Sequence, residues 1–174
     1  AVKSSTPKVC RNKIKEALKI IINEDSDVLN TFIQDFREEF MRLDPEEIAY
    51  PRSVNGLDKF SSSNGMFAKG APIHCKGAIL YNHLLKQKKL TNKYPLIQEG
   101  DKIKFVHLRQ PNVYTSSAFS FITFFPKELD LKDRIDYDTQ FTKSFVEPLK
   151  FISEKIGWWI DDSYGTQGTL DGFF

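Results

Sequence analysis

Phenylalanine falls on this chain in stripes, and the stripes are the strongest constraint on its fold. Leu29, Phe32, Phe36, Phe40 and Leu43 recur at steps of three or four. So do Tyr137, Phe141, Phe145, Leu149, Ile152 and Ile156, about a hundred residues later. That period belongs to a helix with one buried face. A third stripe, Cys10, Ile14, Ala17, Leu18 and Ile21, follows Thr6-Pro7. Thr as N-cap with Pro in the first turn starts a helix there. Asp25 and Ser26 can cap the next helix, and Asp44-Pro45 ends it. The first 44 residues therefore read as a helical hairpin. Pro148 lies inside the last stripe, where a missing N–H and a ring clash should kink or interrupt the helix.

The middle of the chain has another character. Residues 50–75, "YPRSVNGLDKFSSSNGMFAKGAPIHC", are rich in Ser, Gly, Asn and Pro and have little periodicity. They read as a linker or functional loop. A shorter helix is expected from about Lys76 to Lys86. "DKIKFVHL" (101–108) and "SAFSFITFF" (117–125) alternate and are rich in Phe and β-branched residues, so they read as two strands, paired antiparallel. The fold class expected is α+β: a mainly helical domain over residues 1–160 with a small antiparallel β element. An acidic, Gly-rich tail follows over 161–174.

Several functions drop out on composition. No apolar run approaches 18 residues, so no membrane partner is expected. The opening "AVKSSTPKVC" has no apolar stretch behind its lysines and does not read as a signal peptide. Two cysteines, Cys10 and Cys75, make no disulfide framework and suit a reducing cytoplasm. Three His and two Cys show no zinc-type spacing, so no metal site is expected. The acids of "DRIDYD" (133–138) read as the solvated first turn of the last helix, where they suit its dipole. His74 beside Cys75 could suggest a thiol nucleophile, but no third group is placed to orient the pair. No catalytic residue is assigned.

Charge is sorted along the chain. Residues 1–22 hold six basic residues and one acid, whereas residues 23–58 hold three basics and ten acids. Residues 59–109 hold ten basics and two acids, and residues 110–174 six basics and ten acids. Such blocks can form a basic face for a polyanion with an acidic back, or simply solvated helix faces. "KSSTPK", "SVNGLDKF" and "KGAPIHCKG" set Lys among Ser, Asn, Gly and His in irregular backbone. Short side chains and bare N–H groups there can approach phosphates closely.

These segments match a known pattern in order. "KSSTP", "SVNGLDKF", "PIHCKGAILYN", "EGDKIKFVHL" and "DYDTQFTKSFVEPL" resemble the C-terminal thumb region of family B DNA polymerases of the T-even-like phage type. The resemblance implies a mainly helical thumb gripping the primer–template duplex. By it, Lys3, Ser4 and Ser5 lie near the primer strand. Ser53, Asn55, Lys59 and Phe60 line the duplex, with Lys69, His74 and Lys76 beside them. Contacts that must ignore sequence should fall on phosphates and the minor groove. Nothing in the chain resembles the palm's paired aspartates or the fingers' nucleotide-binding helix. This chain is therefore expected to hold no cofactor and to be inactive alone. The two Mg ions of the complete polymerase would sit in its palm, and palm, fingers and exonuclease would be partners if the enzyme is split. The cytoplasm of a phage-infected host cell is the implied location.

The tail "QGTLDGFF" places Gln167, Leu170, Phe173 and Phe174 as Gln-x-x-aliphatic-x-x-aromatic-aromatic. That is similar to the sliding-clamp-binding box of replication proteins. A short helical turn would set Leu170 and Phe173 on one side as a plug, each contributing roughly 1.5–3 kcal/mol before ordering costs. Two other functions stay open at this point: a replication-machinery interaction module that uses the tail and ignores DNA, and a small hydrolase built on His74 and Cys75.

Overall fold

A computed structural model describes residues 3–61, 67–157 and 160. In chain order its elements are α1 (Lys8–Asn23), α2 (Ser26–Phe40), α3 (Pro45–Ile48), β1 (Tyr50–Ser53), α4 (Leu57–Phe60) and α5 (Ile73–Gln87). Then come β2 (Lys102–His107), β3 (Ala118–Phe121), two 3-10 turns (Lys127–Leu129, Lys132–Arg134), α6 (Tyr137–Phe141), a π turn (Thr142–Val146) and α7 (Glu147–Glu154). The expected α+β class is the one found. The elements group into two units: Ala1–Ile48 with Tyr137–Phe174, and Ala49–Asp136.

The first unit joins the two ends of the sequence through aromatic rings. Phe36 meets Phe145 at 4.8 Å between ring centres and Phe141 at 5.6 Å, while Phe40 meets Phe141 at 5.2 Å. All four side chains are buried. Edge and tilted ring pairs of this kind are worth about 0.5–1.5 kcal/mol each beyond area burial. Polar ties reinforce the seam. Tyr137 Oη donates to Leu43 O at 2.7 Å, and Gln140 Nε2 donates to Ile48 O at 2.9 Å. Arg37 pairs with Asp138 and lies over the Phe141 ring.

Three details differ from the sequence reading and two agree with it. Pro7, not Thr6, is the N-cap of α1, and Thr6 is buried without a side-chain cap bond. Asp25 does cap α2, accepting from Asp27 N and Val28 N at 3.0 and 3.1 Å. In α2 the core position belongs to Ile33, and Phe32 is only half-buried. Ile156 falls past the end of α7 and is exposed. The interruption expected at Pro148 takes the form of the π turn, in which Glu147 N–H reaches back to Thr142 O. Pro148 has no N–H for the Ser144 carbonyl and its ring crowds that turn, which a wider turn relieves.

The second unit is a three-stranded antiparallel sheet, order β1-β2-β3, with α5 against β3. The pairing of β2 with β3 was expected. β1 was not, because it lies inside the stretch read as loop. Pro51 removes a donor from it, which is tolerable on the edge strand β1 forms. α5 begins at Ile73, three residues before the expected Lys76.

α5 comes flush against β3 at Gly77. A Cβ there would lie 2.7 Å from Ser120 N and 2.9 Å from Phe119 C, and would also strike Ser120 Oγ. These are backbone atoms, so only the absence of a side chain permits the approach. Gly77→Ala should therefore lower unfolding stability by about 1–3 kcal/mol, the usual cost of overpacking. Chemical denaturation would measure this, and an unchanged midpoint would contradict the close approach.

Candidate nucleic-acid interface

The site is built outward from α5. Ser120 Oγ donates to His74 O at 2.8 Å, tying the first turn of α5 to β3. Further along, Tyr81 Oη donates to Pro95 O at 2.8 Å. Asn82 Nδ2 donates to Ile97 O at 2.9 Å, and Asn82 Oδ1 accepts from Ile97 N at 2.8 Å. The Tyr-Asn pair thus fixes the returning segment, and Glu99 follows two residues later. Glu99 accepts from Gly56 N and Leu57 N, both at 2.7 Å, and so caps α4. Gly56 has φ +89 and its Cα faces the Phe60 ring, where a Cβ would sit 3.1 Å away. Glycine is required there for both reasons.

This framework gathers most of the candidate residues of the second unit. Ser53 ends β1 opposite Lys102. Asn55 is exposed, and its carbonyl accepts from Cys75 Sγ at 3.5 Å. Lys59 is exposed with its ammonium 5.3 Å from the centre of the Phe60 ring. Lys76 lies 5.1 Å over the Phe67 ring. Phe67 pairs with Ser61 in an isolated bridge, and exposed Lys69 follows just after it. His74 is half-buried, bonded to the Ser53 backbone and tilted against Phe105 at 6.4 Å. Lys3, Ser4 and Ser5 belong to the other unit, in the turn closed by Thr6 N–H to Lys3 O ahead of α1. Gln167, Leu170, Phe173 and Phe174 lie outside the described residues.

Two basic residues beside the cluster were missed. Arg52 lies over both Tyr50 and Phe105, 5.6 and 5.4 Å from the ring centres, and acts on His74. Lys102 is exposed across the ladder from Ser53. The alternation in "DKIKFVHL" already put Lys102 and Lys104 on one strand face. What was absent was the partner strand β1 that brings Lys102 to Ser53. The acids of the area are Asp58, which is exposed, Glu99, whose carboxylate is engaged by two N–H groups, and Asp101, whose carboxylate accepts from Gln98 N–H at 2.8 Å.

The chemistry of this surface is non-covalent. Cys75 is buried, and burial raises its thiol above the ordinary value, with the Glu99 charge adding to the rise. A thiol held neutral and aimed at a carbonyl is not a poised nucleophile. Cys10 is buried against Ser144 and pushed up to about 12 by that burial. Among the described residues no group of three His, Cys, Asp or Glu side chains is arranged to hold a metal ion. No described helix is long and apolar enough to cross a membrane. What remains is exposed ammonium groups, short polar side chains and aromatic supports, a composition suited to an anionic polymer.

No protein-family model matches the chain. It is, however, 27% identical over 175 residues to the DNA-directed DNA polymerase of Enterobacteria phage T4, covering 98% of this chain and 18% of that protein. It is 28% identical over 153 residues to the DNA-directed DNA polymerase of Escherichia phage RB69, covering 85% of this chain and 16% of that protein. The chain is related to a region of phage DNA-directed DNA polymerases. It spans less than a fifth of the length of these curated relatives.

His74 carries a test of this geometry. Burial, then the Arg52 charge, lower its pKa below the ordinary 6.5. The unfolded chain therefore binds a proton at His74 more readily than the folded one, so stability must fall as pH drops below 6.5. His74→Gln should flatten the loss of denaturation midpoint between neutral pH and mildly acidic pH. An identical pH dependence in both proteins would place His74 in open solvent.

Proposed function

We propose that this chain is the thumb part of a replicative DNA-directed DNA polymerase and that its second unit grips primer–template duplex without sequence preference. The observation that carries this reading is the cluster of Lys59, Lys69, Lys76, Arg52 and Lys102 around irregular backbone, on a chain similar to phage polymerases along nearly all its length. Lys59 and Lys76 rest over rings, which keeps their ammonium groups outward at little cost in side-chain freedom. Ser53 and Asn55 offer short hydrogen-bonding groups beside them. Backbone-directed contacts of this kind carry no base code, which suits an enzyme that must copy any sequence. Lys3, Ser4 and Ser5 would add contacts near the primer strand. The paired carboxylates and two magnesium ions of phosphoryl transfer would belong to the palm of the complete polymerase, so this chain holds duplex and does not extend it.

Binding of a labelled duplex to the 174-residue chain should weaken steeply with salt, because each phosphate contact releases counterions. Replacing Lys59, Lys69 and Lys76 together should lower the slope of log affinity against log salt by about 1 per lost phosphate contact. His74→Gln should leave that slope unchanged, since a neutral imidazole releases no counterion. Salt-independent binding, or strong preference for one sequence, would sink the reading. No binding at low salt, with the tail still engaging a partner, would favour the interaction-module alternative.

The same proposal assigns the tail to a sliding clamp, on the spacing of Gln167, Leu170, Phe173 and Phe174. Phe173→Ala with Phe174→Ala should abolish clamp binding, read by calorimetry, and leave the melting temperature unchanged. A large loss of stability would instead make the two rings part of the chain's own core.

A further inference from the structure

The helical hairpin of the first unit carries a groove that the duplex reading does not use. Ile20 of α1 and Asp27, Val28, Thr31, Phe32 and Asp35 of α2 line it, around a volume of about 440 Å³. Its floor is apolar. Val28 is 41% exposed there, and Phe32 is the ring that core periodicity claimed and packing left half-buried. Asp27 and Asp35 stand along the wall, eight residues or about 12 Å apart on one helix. Among the described residues neither forms an ion pair. Lys13, which reaches the Phe32 ring from α1, is itself neutralised by Glu39 at 3.3 Å.

An apolar floor with two unpaired carboxylates spaced by two helical turns is a complement to one kind of segment. We infer that this groove docks a basic amphipathic helix of a partner protein, its aliphatic side chains on Ile20, Val28 and Phe32 and its Lys or Arg residues on Asp27 and Asp35. The groove in an amphipathic helix's path is a recurring recognition mode, read as anchors at steps of three and four. Charge argues against the other occupants. The chain's own residues 161–174 carry Asp161, Asp162 and Asp171 and no basic residue, so they would add acids to an acidic wall. A second copy of the groove would oppose like charges to like, which is unfavourable at an interface.

The test uses the whole 174-residue chain and a fluorescein-labelled 18-residue synthetic helix. That probe has leucines at steps of three and four on one face and two flanking lysines eight positions apart. A control peptide carries Glu in place of both lysines. Anisotropy should show saturable binding of the lysine peptide and about tenfold weaker binding of the control. Asp35→Lys and, separately, Val28→Ser should each weaken the lysine peptide by about tenfold. Both positions are exposed, so circular dichroism should show an unchanged fold. Amide shifts in heteronuclear NMR should be confined to Ile20, Asp27–Asp35 and their neighbours. Equal binding of the two peptides, or full binding by Asp35→Lys, would overturn the inference. So would tighter binding after removal of residues 161–174, which would make the tail the occupant. Concentration-dependent self-association lost in Val28→Ser would make it a second copy.

Discussion

The close approach of α5 to β3 at Gly77 is the constraint on which the candidate interface depends. With backbone against backbone, the first turn of α5 is held by Ser120 at His74. From that turn project His74 toward the Ser53 backbone, Cys75 toward Asn55 O, and Lys76 over Phe67. The far end of the same helix, through Tyr81 and Asn82, sets the segment from which Glu99 caps α4. One helix seated at one depth thus positions described segments on either side of it, residues 53–60 and 95–99.

The electrostatics of the second unit follow from this packing. Glu99, which could cancel a lysine, spends its carboxylate on the N–H groups of Gly56 and Leu57. His74 is kept toward its neutral form by burial and Arg52, so it adds a hydrogen-bonding group without adding charge at neutral pH. The cations that remain are Arg52, Lys59 and Lys76 over rings and the exposed Lys69 and Lys102. Such a surface attracts phosphates over a distance set by salt and reads no bases. That combination is what the proposed duplex grip would require.

In the first unit the aromatic seam does a different task. Phe36 and Phe40 of α2 meet Phe141 and Phe145, so the two ends of the sequence share one core. Aromatic pairs combine large buried area with preferred ring angles, which helps define the registration of the helices. The π turn before Pro148 keeps Phe145 and Leu149 buried despite the break in hydrogen bonding. The groove beside Phe32 lies on the same hairpin, lined by Ile20 of α1 and residues of α2.

The sequence by itself determined the striped helices α1, α2 and the last helical stretch, because apolar residues at steps of three and four leave a chain no other way to bury them. It also determined β2 and β3 by alternation, the Asp25 cap, the interruption at Pro148 and the sorting of charge. Ordered motifs were enough to point to a region of phage DNA polymerases. Only the tertiary structure decided that residues 50–53 pair as a strand, since Pro51 and a polar alternation give no local sign of a partner 50 positions away. It alone added Arg52 and Lys102 to the surface, placed Ile33 rather than Phe32 in the core, and made Glu99 the cap of α4. These outcomes share a cause: each depends on which distant residue arrives opposite, and that is settled by packing depth and strand register rather than by any local period.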